Sequence, residues 1–345
     1  MNVEENVALA KHTTFKVGGP AKLFITCESV EDVRGAVTLA RERNLSLYPL
    51  GEGSNVLASD GVIEKAVLRI SIPGIVYEKA ADSFDGKRTL VTVGAGVSWD
   101  TFVDDVTTKG LWGVENLAGI PGTIGGAAVQ NIGAYGAVFA DSVVSVEAYD
   151  TVTDTLRTFS RDECDFGYRM SIFKQRAGEL IVTHATLVLS EVPNPRLGYR
   201  DIEDYFATAP TPTVIGIRDA VRTIRAKKFP DLSLYGTAGS FFLNPVLSED
   251  EAARIAAKYP GMPLFPMPEG GVKVPIAWLL DYRHEVLDMR DVRVGKALVW
   301  PIQPLVLASE VGAMAADVNA LAALVIARVK EATGISINRE VQSLS

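Results

Sequence analysis

The stretch from Gly113 to Gly136, GVENLAGIPGTIGGAAVQNIGAYG, is the strongest constraint on the fold: seven of its 24 residues are glycine and Glu115 is its only charge. Glycine at this density makes a poor helix or strand interior, because each one costs backbone entropy and gives no side chain to pack. What it permits is close approach. Consecutive backbone N–H groups can cradle an anion such as a diphosphate, and small residues let a large flat ligand lie on the main chain. A plain connector is the alternative, but connectors are usually more polar than a segment in which Glu115 and Asp141 bracket 25 uncharged residues.

A chain of 345 residues is expected to form two or three domains, with 48% hydrophobic residues enough for a sizeable core. The formal charge of -8 argues against nucleic-acid and anionic-membrane partners. Cys27 and Cys164 are the only cysteines and lie far apart, which suggests neither a disulfide framework nor a zinc site and fits a reducing cytoplasm. The acidic start, MNVEENVALA, lacks the basic and apolar regions of a signal peptide, and the run from 116 to 140 is too rich in Gly, Asn and Gln for a membrane helix. His12, His184 and His284 share no metal-ligand spacing, so no metal is expected.

In chain order, Leu23–Thr26 reads as a strand and Ser29 as the N-cap of a helix with Val33, Ala36, Val37 and Ala40 on one face. The strand Leu45–Leu50 runs into GEGSNVL at Gly51–Leu57. Gly51-x-Gly53 has Val56 where a dinucleotide fingerprint needs its third glycine, and no helix follows, so a Rossmann unit is disfavoured. Short strands are expected over Val62–Val93 around a charged turn at Asp82–Arg88, and Ser98 is expected to cap a helix with Trp99, Phe102, Val103 and Val106 inside. After the glycine stretch come strands at Val143–Tyr149 and Thr155–Phe159, a capping box of Ser160 and Glu163 opening a short helix, and a strand at Leu180–Leu189. Pro193, Pro195, Pro210 and Pro212 mark a domain boundary. Beyond it, helices are expected from Thr213 to about Lys228, from Ser248 through Lys258, and from about Val311 to Thr333 with Gly334 as stop, with strands at Ala297–Trp300 and Leu305–Leu307.

Four places could carry chemistry. Ser240, in YGTAGSFFLNP, is either a proton donor to a ligand or a turn hydroxyl. Arg169, in FGYRMS, offers a planar fork for a carboxylate or enolate, or else a surface ion pair. Arg222, Arg225, Lys227 and Lys228 either answer a helix dipole or grip a diphosphate. Glu340 lies five residues from the C-terminus and would alone pass for a tail residue.

Together the local wording is specific. TTFKVGGPA at 13–21, GEGSNVL, ENLAGIPGTIGGAAVQNIGAYG, CDFGYRMSIFK, RAKKFPD, TAGSFFLNP and the final REV occur in order over nearly the whole chain. In these pieces the chain resembles the UDP-N-acetylenolpyruvoylglucosamine reductases, flavoenzymes of peptidoglycan precursor synthesis, and Tyr199 in LGYRDI resembles the tyrosine loop of the type I subgroup.

The resemblance implies an α+β fold: an FAD-binding module of the vanillyl-alcohol-oxidase type over 1–195, with subdomains of about 1–70 and 71–195, a proline-rich linker at 196–212, and an α+β substrate-binding domain at 213–345 whose tail returns to the active site. It implies FAD as cofactor and NADPH as reductant, which in the family shares the substrate's place. Gly51, Glu52, Gly53, Ser54 and Asn55, with Gly119, Pro121, Gly122, Thr123, Gly125, Gly126, Ile132 and Gly133, would hold the FAD. Tyr135, Tyr199, Lys228, Asn244 and Lys273 match substrate positions, and Arg169, Ser240 and Glu340 match catalytic ones. The expected partners are a UDP-sugar and NADPH, with no nucleic acid or membrane, and the chain is expected to be a monomer. Three positions depart from the family's pattern: Arg339 stands where proline is common, Gln303-Pro304 where a histidine-containing turn is usual, and Leu243 where a basic residue is frequent. Two other readings stay open from the residues alone, an FAD oxidase of the same fold and a non-catalytic flavin or sugar-nucleotide sensor.

Overall fold

Alternation of apolar and polar residues between 143 and 190 builds the largest sheet of the protein. The computed structural model describes residues 1–80, 87–207, 212–267, 270–284 and 286–345, with Tyr282 by its backbone only. Pro210 and residues 82–86 of the expected charged turn lie outside the described residues. The chain divides into two compact units. One comprises 1–7, 21–52 and 64–227, the other 8–20, 53–63 and 228–345. This partition differs from a boundary at the proline-rich segment, since the helix that follows the prolines belongs almost wholly to the first unit.

In the first unit, the strands Thr155–Ser160, Val143–Asp150, Leu180–Ser190, Arg88–Gly94 and Ile75–Lys79 form an antiparallel sheet in that order. A second sheet has the order Asn2–Ala8, Pro20–Cys27, Ile63–Ile70, Ser46–Leu50, the last two strands being parallel. Helix α1 (Val30–Glu42) is capped as expected, Ser29 Oγ accepting the N–H of Asp32 at 3.1 Å. Its apolar stripe, Val33, Ala36, Val37 and Ala40, is fully buried in one core with residues of both sheets. Helix α2 (Trp99–Thr108) buries Trp99, Phe102, Val103 and Val106. The expected cap at Ser98 is corrected: its side chain makes no cap bond, and the residue is instead drawn into a backbone bridge with Thr123.

The glycine stretch contains helix α3 (Ile124–Gln130), a short helix where sequence argued against one. Thr123 Oγ1 caps it by accepting the N–H of Gly126 at 3.3 Å. Its small residues let Gly125 N–H reach Ala95 O at 2.9 Å, and Asn131 ends it in the left-handed region at φ 42°. Ser160 and Glu163 do make their reciprocal bonds, but turns follow them and the helix comes later, as α4 (Ile172–Gln175) behind Ser171. Helices α5 (Arg200–Phe206) and α6 (Val214–Lys228) follow, with Gly216 N–H bonding Thr213 Oγ1 at 3.0 Å as expected of a cap.

In the second unit, Gly236–Ser240, Val306–Ser309, Ala297–Val299 and Arg293–Val294 form an antiparallel sheet, and Val56–Ala58 pairs in parallel with Gln342–Leu344. A smaller sheet joins Val246–Leu247, Val272–Lys273 and Phe265–Pro266. Helix α7 (Glu249–Lys258) has the capping box read from Ser248 and Glu251. Helix α8 (Ile276–Leu279) is short, and α9 (Ala315–Thr333) ends at Gly334 but starts later than Val311. Gly312, at φ 78°, delays it, and the N–H groups of Ala315 and Ala316 bind the carboxylate of Asp60. Val318, Leu321, Ala322, Val325 and Val329 turn into a core with Phe15, Phe241 and Phe242, where burial contributes about 1.5–3 kcal/mol per large apolar side chain. Among the described residues no helix is long and apolar enough to cross a membrane, and no three His, Cys, Asp or Glu side chains are grouped as metal ligands would be.

Candidate active site

Two glycine loops far apart in sequence meet within the first unit. The strand Ser46–Leu50 delivers the chain to Gly51 and Glu52, and Glu52 Oε2 accepts the N–H of Gly122 at 3.0 Å. A Cβ on Gly51 would fall 2.6 Å from Thr123 Oγ1, so only glycine allows this approach. Arg69, whose pKa burial lowers, feels the opposing charge of Glu52. The remainder of GEGSN, Gly53, Ser54 and Asn55, belongs to the second unit, where Gly53 turns at φ 65° and its carbonyl accepts the N–H of Thr14.

Gly119 is gripped from both sides of its peptide. Its N–H bonds Asp100 Oδ1 on α2 at 2.6 Å, and its carbonyl accepts Arg225 Nε on α6 at 2.9 Å. Of the basic cluster at the end of α6, Arg222 is committed to carboxylates, pairing with Asp100 at 3.0 Å and Asp104 at 2.8 Å. Lys228 closes the helix. Burial lowers the pKa of Arg225, and the Tyr135 hydroxyl bonded to it opposes that shift. Burial likewise pushes Tyr135 up to about 12.

After α3, Gly133–Ala134 and Ala137–Val138 pair as a hairpin whose two turn residues, Tyr135 and Gly136, both have positive φ, 48° and 79°. That is a type I′ turn, a costly place for an aromatic. Tyr135 is held there by Asn116 Nδ2, which donates to its carbonyl at 2.8 Å, and its buried ring meets the exposed ring of Tyr199 edge-on at 5.2 Å.

Arg169 is the second residue of a two-residue turn closed by reciprocal bonds between Gly167 and Met170. Its φ of 57° lies where glycine or asparagine is usual and costs about 1–3 kcal/mol. Three contacts over-determine the turn. Arg169 Nη2 donates to Gly133 O at 2.5 Å, Lys174 Nζ donates to Arg169 O at 2.9 Å, and Asn131 Nδ2 donates to Gly167 O at 2.9 Å. A Cβ on Gly133 would come within 2.8 Å of Arg169 Nη1. Neither Lys174 nor Asn131 was singled out from sequence. The signal for Asn131 was available, since asparagine after an apolar helical turn suits a left-handed cap, whereas nothing in the spacing marks Lys174.

In the second unit Ser240 ends the strand Gly236–Ser240, half-buried, after a register irregularity at which Gly239 takes φ 74°. Phe241 and Phe242 follow into the core, and the N–H of Glu340 donates to Phe241 O at 2.8 Å, so the tail lies beside Ser240's strand. Asn244 Oδ1 accepts the N–H of Ile276 at 2.9 Å, which commits its oxygen to the start of α8. Lys273 pairs in register with Val246 and places its ammonium 5.6 Å from the Phe265 ring centroid.

Two family models match the chain, an FAD binding domain over residues 21–159 and the C-terminal domain of UDP-N-acetylenolpyruvoylglucosamine reductase over 231–344. The UDP-N-acetylenolpyruvoylglucosamine reductase of Pseudomonas putida is 35% identical over 98% of this chain and 97% of its own. That of Bacteroides fragilis strain YCH46 is 36% identical over 98% of this chain and 99% of its own. The chain belongs to this family. The crystal structure of the Thermus caldophilus UDP-N-acetylenolpyruvylglucosamine reductase covers 100% of both chains with a TM-score of 0.69 at 26% identity. The expected architecture, an α+β FAD-binding module followed by an α+β C-terminal domain, is borne out.

Proposed function

We propose that this chain reduces UDP-N-acetylglucosamine enolpyruvate to UDP-N-acetylmuramate, with NADPH as reductant and FAD as cofactor, in peptidoglycan precursor synthesis. Membership of the reductase family over nearly the full length of both chains carries the reading. The meeting of Gly51 and Glu52 with Gly122 and Thr123 supports it, because a surface lined by backbone and small side chains fits a dinucleotide. Gly51 to Asn55 and the segment from Gly119 to Gly133 would hold FAD. When bound, FAD would supply the hydride chemistry that links NADPH to the terminal vinyl carbon of the substrate.

The remaining work falls to side chains. Arg169, fixed by its strained turn, presents its guanidinium to the carboxylate of the substrate, on which negative charge grows as an enolate. Glu340 assists as a positioned acid. Ser240 then gives its hydroxyl proton to the carbon beside that carboxylate, completing the lactyl ether, and regains a proton from solvent. With its oxygen committed to Ile276, Asn244 meets the sugar nucleotide through its amide N–H groups, beside Lys228 and Lys273 for the phosphates. Tyr135 and Tyr199 cover the substrate. A monomer in the cytoplasm completes the reading, which the two buried free cysteines suit.

The test is NADPH consumption by purified, FAD-loaded protein. Consumption that needs the enolpyruvyl sugar nucleotide is expected, and consumption in air with peroxide as product and no need for that substrate would overturn the proposal. In stopped flow, Ser240→Ala should keep reduction of the flavin by NADPH and lose its reoxidation by substrate. Unchanged reoxidation would remove Ser240 from its role.

A further inference from the structure

The tail that carries Glu340 is attached to the second unit in two ways. Through the backbone, Phe242 and Arg339 face one another in an isolated antiparallel bridge. Leu243 N–H donates to Asn338 O at 2.9 Å and Glu340 N–H to Phe241 O at 2.8 Å. This is the non-hydrogen-bonded type of pair, so the N–H of Arg339 points out of the ladder. On its other side the segment continues into the parallel pairing of Gln342–Leu344 with Val56–Ala58, and Gln342 N–H donates to Asn55 O at 3.0 Å.

Through a side chain, Arg339 reaches α9. Its Nη1 donates to Asn319 Oδ1 at 2.6 Å and its Nη2 lies 3.4 Å from Asn319 O, while its guanidinium carbon sits 5.6 Å from the ring centroid of Phe241. Phe241 is the residue after Ser240 and the one whose carbonyl binds Glu340 N–H. Asn319 stands on a helix whose inner face is buried and whose first N–H groups are bound by Asp60, so the guanidinium is anchored to a rigid element. The two bridge bonds and the bond from Asn55 Nδ2 to Glu340 O at 3.4 Å hold residues 338–340 modestly, since each ordered residue loses backbone freedom for few hydrogen bonds.

We infer that Arg339 is a positioning residue for the reaction: by tethering the tail to Asn319 and covering Phe241, it holds Glu340 at a fixed place beside Ser240's strand. The inference rests on the proposed roles of Ser240 and Glu340. It yields an asymmetry between substitutions. Arg339→Ala removes the tether and leaves residues 338–340 to their backbone bonds, with more room to move. Arg339→Pro also removes the tether, but it keeps both bridge hydrogen bonds, whose donors are Leu243 and Glu340, and it stiffens the segment by fixing φ. Proline should therefore restore what alanine loses.

The experiment follows the two half-reactions of the FAD-loaded enzyme by stopped flow, together with hydrogen exchange of the tail amides by mass spectrometry. Arg339→Ala is expected to leave flavin reduction by NADPH unchanged, slow reoxidation by saturating enolpyruvyl substrate by about ten- to a hundredfold, and speed exchange at Glu340. Asn319→Ala should reproduce both effects from the helix side, and combining the two should add little. Arg339→Pro should return exchange and reoxidation to within about threefold of the parent rates. Wild-type reoxidation in Arg339→Ala or in Asn319→Ala would overturn the inference. So would Arg339→Pro that protects Glu340 from exchange yet stays slow. If Arg339→Ala does not fold, Asn319→Ala and Arg339→Pro decide the matter. A parent enzyme that does not consume NADPH with this substrate would overturn the functional reading, whereas slow reoxidation in Ser240→Ala beside fast reoxidation in Arg339→Ala would overturn the tether alone.

Discussion

The carboxylate of Glu52 accepts a hydrogen bond from the backbone N–H of Gly122 at 3.0 Å, joining two glycine loops 70 residues apart. A hydrogen bond to a charged group contributes about 1.5–3 kcal/mol, and its partner here is the loop proposed to carry the FAD diphosphate. Glu52→Ala should therefore weaken FAD binding by about ten- to a hundredfold, read by fluorescence titration of the apoprotein. Glu52→Gln keeps an acceptor oxygen and should fall between the two. An alanine variant with the parent affinity would detach this contact from the cofactor.

Lys174 bonds the carbonyl of Arg169 at 2.9 Å and Gln130 Oε1 at 2.8 Å, holding a turn whose φ of 57° is unfavourable for arginine. Without it the turn can relax and the guanidinium loses its aim. Lys174→Met should lower kcat by about tenfold while leaving flavin reduction by NADPH unaltered. A parental kcat would show that the contacts to Gly133 and Asn131 fix Arg169 unaided.

Helices whose cap and stripe lie within one short window were legible in the sequence. Ser29 with Val33, Ala36, Val37 and Ala40 gave α1, and Ser248 with Glu251 gave α7. Features set by distant partners were not. Ser98 has a capping side chain, but its backbone is taken by Thr123, 25 positions on in a loop that no local pattern ties to it. The second unit draws residues 8–20 and 53–63 away from their neighbours in sequence, and such long-range assembly leaves no compositional mark. Arg169 was legible as a candidate by its neighbours Gly167 and Tyr168, yet its strained φ and its support from Lys174 arise from tertiary structure that overrides local preference.

Asp150, with a side chain only 2% exposed, ends the strand Val143–Asp150 of the first unit beside Arg157 at 3.4 Å and Arg176 at 3.9 Å. Burial alone would raise its pKa, but the N–H groups of Thr153 and Val152, the hydrogen bond from Arg157 and the charge of Arg176 outweigh it and hold the carboxyl below the usual range. A depressed pKa means that the unfolded chain binds more protons in the interval between the two values, so stability rises with pH there. This contribution is complete above the unfolded value of about 3.9 and is lost as pH falls through the folded one. Asp150→Asn should lower Tm by roughly 2–6 °C at pH 7, and the gap from the parent should close as the pH is lowered through that window. A gap in calorimetry that stays constant with pH would assign the effect to hydrogen-bond geometry and not to charge.

Asp100 does two things, and their sizes separate them. It pairs with Arg222 at 3.0 Å across the surface, both side chains about one-third exposed, and such pairs contribute about 0–1 kcal/mol. It also accepts the N–H of Gly119 at 2.6 Å, a charge-assisted bond of about 1.5–3 kcal/mol that fixes one side of a peptide whose other side is held by Arg225. The peptide bond should therefore win. Arg222→Ala is expected to change FAD affinity by less than about threefold, and Asp100→Ala to weaken it by about tenfold or more. Asp100→Asn keeps an acceptor for Gly119 while giving up the charge, and should fall between Arg222→Ala and Asp100→Ala. Equal losses in Arg222→Ala, Asp100→Asn and Asp100→Ala, measured by FAD titration at low and high salt, would instead place the effect in the charge network between α2 and α6.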